Sequence, residues 1–460
     1  MPTTSQMEHA VKSMAFFVLL GALAGCASYH SDPLDLKPSL KTAVRRLDID
    51  TSKIPLPGLA AHKFDPSDGL DMTEVAMLAV VNNPDLKLAR DDLGIARAQA
   101  FAAGLLPDPQ IGYSPQFPQN AAPGENVTAF DLGLSYDISA LVMHSSNVAA
   151  AKAENRKTDL ALLWQEWQVV GRARLLFVRN REEQKLLEIL QESRDLAMQR
   201  YEKEKAALRD GNLTLAAATL DASALQEIDR RINEVERSLG RNRHALNALL
   251  GLSPDVELHL VGKPDLLALD RKSISGRLDR IAAWRPDLLA LRAGYEAQDV
   301  RMRQAILAQF PAINVGIVRA RDNTGINYQG YSISLNLPIF NRNRGNIAIE
   351  EATRKRMHDE FQVRLNTAYG EVAQLVSDQT VLEKQLGQIR LALASLENLG
   401  ARAEPVFRAG NMDLPAYSSL RNALLSKKIE ENAIEQIMLE QRIALQTLLG
   451  GDLPEKGKNP

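Results

Sequence analysis

The sequence predicts a mainly α-helical protein with a small β part, built from a duplicated helix–strand–strand–helix–helix unit. Three observations carry that prediction. Short motifs return about two hundred residues on: Asn83-Pro84-Asp85-Leu86 as Arg285-Pro286-Asp287-Leu288, and ALNALLG (245–251) as ALQTLLG (444–450). Two stretches, AFDLGLSYDI (129–138) and GYSISLNLPI (330–339), alternate apolar and polar residues strictly. One turn signal, Arg209-Asp210-Gly211-Asn212 and again Arg408-Ala409-Gly410-Asn411, interrupts long helical patterns. A period near 200 is far above that of solenoid repeats, so the chain reads as a duplicated domain.

The N-terminal end reads as a targeting segment. Lys12 precedes the apolar run MAFFVLLGALAGC, Met14 to Cys26, which is too short for a comfortable membrane span and reads as a signal peptide over 1–25. Leu23-Ala24-Gly25-Cys26 resembles the bacterial lipobox. The resemblance implies a lipidated Cys26, and Ala27 in place of Asp permits an outer-membrane destination. Cys26 is the single cysteine, which excludes an internal disulfide and a thiolate metal cluster. Residues 26–69 are Pro- and Asp-rich and unpatterned, and are expected to form an extended arm. Net charge is −2, so no global field argues for nucleic acid. No other segment has ~20 apolar residues in a row, so no helical span is expected in the mature chain.

The first repeat is placed at 70–251. It opens with a helix at Thr73–Leu106 and continues through strands near 109–117 and 128–138. In the second strand Phe130, Leu132, Leu134, Tyr136 and Ile138 share one face, and Asp131, Gly133, Ser135 and Asp137 the other. A proline-free helix from Ser146 to Arg209 follows, ~96 Å long at 1.5 Å per residue. The chain turns at Gly211-Asn212 and returns through a helix at about Leu213–Leu250. A connection at 252–276 leads to the second repeat, 277–451. That repeat has a helix at about Ser275–Gln309 with a break at Pro286, strands near 311–321 and 330–340, and a helical hairpin at 345–450. On its second strand Tyr331, Ile333, Leu335, Leu337 and Ile339 oppose Ser332, Ser334 and Asn336. The tail 452–460 is expected to be flexible.

Four strands of about ten residues match the length of a tilted transmembrane β-strand. Four cannot close a barrel, and an open edge cannot sit in lipid, so membrane-spanning strands would have to be pooled from several chains. Three copies would give twelve. The other reading of the strands is a soluble hairpin pair packed on helices. The helices carry narrow apolar stripes: Leu225, Ile228, Ile232, Val235, Leu239, Leu246 and Leu249 in the first repeat, and a polar-diluted version from Leu424 to Leu448 in the second. Such stripes suit a thin wall with water on both sides, whereas a soluble bundle needs wider apolar faces.

From about Leu70 to Leu453 the chain resembles the TolC-like outer-membrane efflux family. The resemblance rests on the duplication, the NPDL opening, the paired strands and the two Gly tips. LPIFNRNRGNIAIEEA (337–352) and AGLLPDPQIGYSP (103–115) are similar to the cobalt–zinc–cadmium (CzcC-like) branch. The family implies a homotrimer with a 12-stranded β-barrel in the outer membrane, continuing into a long periplasmic α-helical barrel. It also implies a periplasmic adaptor and an inner-membrane pump of the resistance-nodulation-division (RND) class as partners. SALVMHSSNVAAAKAE (139–154) departs from the pattern by lacking the Arg and Gly of the second junction.

The candidate functional residues follow. Arg209, Gly211, Asn212 and Leu213, with Arg408, Gly410, Asn411 and Met412, form two hairpin tips for adaptor docking; Gly and Asn tolerate the left-handed backbone a tight helix turn needs. Asp210, Asp413 and Arg421, with Arg408, are candidate gate charges. Asp131, Ser135, Asp137, Ser332, Ser334 and Asn336 are candidate lumen residues. No P-loop, H-E-x-x-H or G-x-S-x-G motif is present, and the histidines are scattered, so neither enzyme, cofactor nor local metal site is expected. Two other readings share this architecture: the channel of type I protein secretion, and a non-conducting structural lipoprotein that spans the periplasm.

Overall fold

The computed structural model describes residues 29–54, 56–117, 127–212, 214–264, 266 and 271–449. Cys26, Leu213, the loop 118–126 and the tail lie outside the described residues. The chain divides into units 1–40 and 41–460. In the first, residues 29–40 have neither helix nor strand, and Tyr29, Leu34 and Leu36 are exposed.

The largest hydrophobic cluster among the described residues of the second unit forms around helix α1, Met72–Asn82. Its sequence, MTEVAMLAVVN, is apolar on nearly every side, which demands burial all round. Val75, Ala76, Leu78, Ala79 and Val80 are accordingly sealed from solvent. A reciprocal cap starts the helix. Asp71 accepts from the Thr73 and Glu74 N–H groups, both at 2.8 Å, while Glu74 accepts from Asp71 N–H at 2.9 Å.

The structure breaks the helix expected at Thr73–Leu106. Helix α2, Pro84–Ala103, begins afresh after Asn83. Pro84 has no N–H and fits the first helical turn, while Asn83 accepts from Leu86 N–H and donates to the Leu249 carbonyl, each at 3.0 Å.

The arm also differs from the extended chain expected. Leu47 and Ile54, which directly follow short helical turns at Val44–Arg46 and Thr51–Lys53, and Leu59, within a third at Pro57–Ala60, belong to the buried cluster around α1. Asn82 holds the arm as well, accepting from Asp48 N–H at 2.8 Å and donating to the Asp48 carbonyl at 2.7 Å.

Strand β1, Gln110–Gln116, pairs with β2, Ala129–Asp137. Helix α3, Ile138–Arg209, then starts directly from β2, eight residues before the expected Ser146. Asp137 caps it by accepting from Ala140 N–H at 3.0 Å. Its 72 residues correspond to ~108 Å. Helix α4, Leu215–Leu249, runs back along it. A short helix α5, Arg271–Leu278, leads from the connection into the second repeat, which places helix α6, Pro286–Leu307, before strands β3, Ala312–Arg321, and β4, Asn327–Asn336. Helices α7, Arg344–Arg408, and α8, Leu414–Leu448, complete it.

The two strand-to-helix junctions differ. Between β4 and α7 the chain passes through Arg342 and Asn343 with φ of 45° and 55°. A left-handed backbone costs a side-chain-bearing residue roughly 1–2 kcal/mol. The turn is fixed by Asn343, which donates to the Ala305 carbonyl on α6 at 2.8 Å, and by Arg342 N–H on the Pro338 carbonyl at 3.1 Å.

Helices α3 and α8 pack closely at Gly171, where an added Cβ would lie 2.5 Å from Thr447 Oγ1. Overpacking of this kind costs about 1–3 kcal/mol. Gly171→Val is therefore expected to lower stability to chemical denaturation by about that amount, and a second change, Thr447→Ala, to return most of the loss.

Candidate functional site

The four strands form one antiparallel sheet in the order β1-β2-β3-β4. Its register sorts the side chains onto two faces of opposite character. Ser135 stands opposite Gly316, which stands opposite Ser332; Asp137 opposite Asn314, which stands opposite Ser334. Asp131 and Asn336 belong to the same face. All six candidate lumen residues thus share one polar surface, joined by Gln110, Ser114 and Gln116 of β1. Gln116 donates to Asp131 at 3.2 Å across it.

Beyond Arg319, Arg321, Asn327 and Gln329 at its loop end and the half-buried Phe130 and Tyr136, the other face carries Ile111, Tyr113, Leu132, Leu134, Ile313, Val315, Ile317, Tyr331, Ile333 and Leu335. Every one is exposed, Tyr331 to 92%. An apolar face this broad on a water-facing sheet would be an aggregation surface; in hydrocarbon it is at rest. Both outer strands, β1 and β4, leave an edge without a partner in the sheet. None of the described helices is long and apolar enough to cross a membrane.

Two kinds of contact hold the helices together. Within the first hairpin, Leu187 and Leu190 of α3 pack on Ile232 and Val235 of α4. Between the hairpins the α3–α8 seam is ionic. Arg179 grips both Glu440 oxygens at 2.9 Å, Lys185 reaches Glu435 at 2.8 Å, and Arg421 pairs with Glu192. Arg390 of α7 joins in, contacting Glu431 at 3.0 Å and Glu435 at 2.8 Å. Burial pushes the Glu435 carboxyl up, but Lys185 and Arg390 outweigh it and hold the group below its ordinary value. Glu182, on the same seam, is raised by burial, which Lys185 at 3.8 Å offsets only in part.

At the tips the chain closes α3 and α7 in the same way. Gly211 and Gly410 adopt φ of 75° and 77°. Asn212 N–H bonds the Ala207 carbonyl and Gly211 N–H the Leu208 carbonyl; Asn411 and Gly410 repeat this on Val406 and Phe407. These are paired Schellman closures, for which the left-handed glycine is the requirement. Arg209, Asp210, Arg408 and Asn411 are exposed there, but Met412, one of the residues expected at the docking tips, is half-buried.

The proposed gate charges do not gather. Asp413 caps α8, accepting from Ala416 N–H at 2.8 Å. Arg408 pairs with Glu404 of its own helix, and Asp210 ends α3. Only Arg421 crosses between hairpins.

Sequence reasoning missed the partners along this seam. Glu192 and Arg421 are 229 positions apart, and no local pattern links them. It also missed what makes the tips unequal. Phe407 and Tyr417 stack with ring centroids 4.3 Å apart in the second hairpin. In the first, the corresponding sequence positions hold Leu208 and Ala218. Conversely, Arg200 of α3 bridges Glu204 at 3.1 Å and Asp221 of α4 at 2.7 Å, where the second repeat has Leu399, Ala403 and Leu420. Burial, and then the contact with Asp221, push the Glu204 carboxyl above its ordinary value.

The comparisons with known proteins point one way. A family model described as "Outer membrane efflux protein" matches residues 278–451. The cation efflux system protein CusC of Escherichia coli strain K12 is 23% identical over 81% of this chain and 85% of its own length. The multidrug resistance outer membrane protein MdtQ of Escherichia coli O157:H7 is 23% identical, over 95% and 98%. Among solved structures, the Campylobacter jejuni CmeC outer membrane channel superposes with a TM-score of 0.68 at 17% identity, over 94% of this chain and 96% of that one.

A carboxyl raised in the folded state stabilises that state below its unfolded value and loses the contribution as pH rises through the folded one. The first hairpin is therefore expected to tighten between neutral pH and the glutamate range. Glu204→Gln should raise its stability at pH 7 and flatten this dependence. Hydrogen exchange of residues 200–212 at several pH values reads both effects.

Proposed function

We propose that this chain, which resembles the TolC-like outer-membrane efflux protein family, is the outer-membrane channel component of a tripartite efflux system, a reading supported by its match to the outer membrane efflux protein model and its likeness to efflux proteins. The single observation that carries the reading is the sheet: one face apolar and exposed, one face polar, and both edges open. Because the strands alternate in direction, β4 of one copy and β1 of the next run antiparallel, so copies extend one continuous ladder. Three copies close it with twelve strands, an even number within the range of outer-membrane barrels. Ten-residue strands such as β3 and β4 reach ~34 Å, enough when tilted to cross the apolar band of that membrane.

The homotrimer's polar sheet faces, with Asp131, Ser135, Asp137, Ser332, Ser334 and Asn336, line a wet passage. Helices α3, α4, α7 and α8 carry it through the periplasm. Transport is passive. The energy comes from an inner-membrane RND pump, reached through a periplasmic adaptor that meets the tips at Gly211-Asn212 and Gly410-Asn411. Cys26 carries the lipid that ties the chain to the outer membrane. The cargo is heavy-metal cations or small toxic compounds, in keeping with relatives named for cation efflux and for multidrug resistance. The gate is the ionic seam near the tips, with Arg421 and Glu192 as its cross-hairpin link. An exposed pair of this kind contributes about 0–1 kcal/mol, little enough for the hairpins to part and rejoin.

Purified protein in planar bilayers is expected to form discrete channels; a trimer that inserts without conducting would reduce it to a scaffold. Arg421→Ala and Glu192→Ala should each raise the conductance of the resting channel severalfold, and the charge swap Arg421→Glu with Glu192→Arg should restore it. Cys26→Ser should abolish incorporation of labelled fatty acid in cells.

A further inference from the structure

We propose that the second strand-to-helix junction, Phe340 to Arg344, is a docking surface for an anionic phospholipid of the periplasmic leaflet, with Arg342 and Arg344 meeting the headgroup phosphate. The inference rests on the outer-membrane reading and adds a lipid partner to it.

Three observations converge on this turn. The first is place. It follows the helix-side end of β4, where the membrane band gives way to the periplasmic helices. The exposed apolar face of β4 continues without interruption into Leu337, Ile339 and Phe340, the last 89% exposed, and Phe310 of the neighbouring β3 approach is exposed too. Aromatic side chains at that depth belong at the level of the headgroups.

The second is charge. From Asn323 to Ile349 the sequence has no acidic residue, while Arg342 and Arg344 both stand exposed. The Arg344 guanidinium reaches only backbone carbonyls, of Asn341 at 3.3 Å and Phe340 at 3.5 Å. Arg303, on the nearby end of α6, is by contrast paired with Asp299 at 2.6 Å. Among the described residues neither arginine forms an ion pair, so positive charge sits at this turn, beside the lipid-facing surface; the exposed Arg319 of the same face lies toward the opposite, loop end of β3. Arginine's planar fork matches a phosphate well.

The third is the form of the turn. The first repeat passes from strand to helix with no left-handed residue, so the connection itself does not require one. The second uses two in succession and locks them through Asn343 on Ala305. Strain held in place by surrounding contacts is characteristic of binding elements. The first junction has no lysine or arginine between Asp137 and Ala151, only His144, so each chain offers one such arginine pair.

The test uses the full-length trimer in vesicles of phosphatidylethanolamine, with or without a minor fraction of phosphatidylglycerol. Lipid retained on extraction is read by mass spectrometry, and thermal unfolding is read alongside. Wild type should retain phosphatidylglycerol over phosphatidylethanolamine by on the order of tenfold and unfold at higher temperature in its presence. Arg342→Gln with Arg344→Gln should lose both effects while remaining a conducting trimer; Arg303→Gln should keep both. Equal retention of the two lipids by wild type, or an undiminished preference in the double variant, would overturn the proposal. So would dissociation of the double variant into monomers with its preference intact, which would assign the turn to a neighbouring copy. Stabilisation by inorganic phosphate equal to that by lipid would assign it to a soluble anion. A wild-type protein that inserts and conducts without lipid preference sinks this inference alone, whereas one that never inserts sinks the channel reading with it.

Discussion

Backbone hydrogen-bonding groups cannot stay bare in hydrocarbon, and a four-stranded sheet leaves two rows of them, along β1 and β4. The rest of the architecture answers to that constraint. The alternating strand directions make the two edges complementary, so copies of the chain can satisfy each other. The duplication serves the same end, since each repeat supplies one hairpin to the sheet and one long helical hairpin beneath it. In the proposed ring of copies the apolar face formed by residues such as Leu134, Ile317 and Ile333 would be the outside, and the serines and aspartates the inside.

Beneath the sheet, rigidity and looseness are distributed along the helices. The apolar helix α1 and the middle of α3 form a sealed core around Phe177 and Leu78, which Leu47, Ile54 and Leu59 join. Such packing resists rearrangement. Towards the tips, ion pairs of carboxylates with lysine and arginine join the hairpins: Glu435 with Lys185 and Arg390, then Glu192 with Arg421. Exposed ion pairs hold a geometry weakly and exchange partners at little cost. The same two hairpins are thus held by close apolar packing at one level and by ion pairs at another.

Much of this was legible in the sequence, and for physical reasons. Strict alternation in AFDLGLSYDI and GYSISLNLPI has one structural meaning, so the strands and their faces could be read directly. The glycine tips were visible because little else tolerates their backbone. Other features were hidden. The break at Pro84 was obscured because apolar spacing runs across it, although Pro286 marked the matching break in the second repeat. The early start of α3 was missed because LVMHSS lacks a clear helical period, yet Asp137 is a good cap. Asp413 before Leu414-Pro415 also has the composition of a helix cap, a signal that was available but read as a gate. The ionic seam was beyond reach: Arg179 and Glu440 are 261 positions apart and meet only because two repeats fold side by side. The arm was underestimated because its turns are too short to show a period.

The inequality of the two tips has a consequence for assembly. One is braced by the stacked rings of Phe407 and Tyr417, the other by Arg200 between Glu204 and Asp221. Around a closed ring of copies these would alternate, aromatic clasp beside charged clasp. A companion protein offering one repeated knob would then face two kinds of socket, with stoichiometry set by which of them it tolerates.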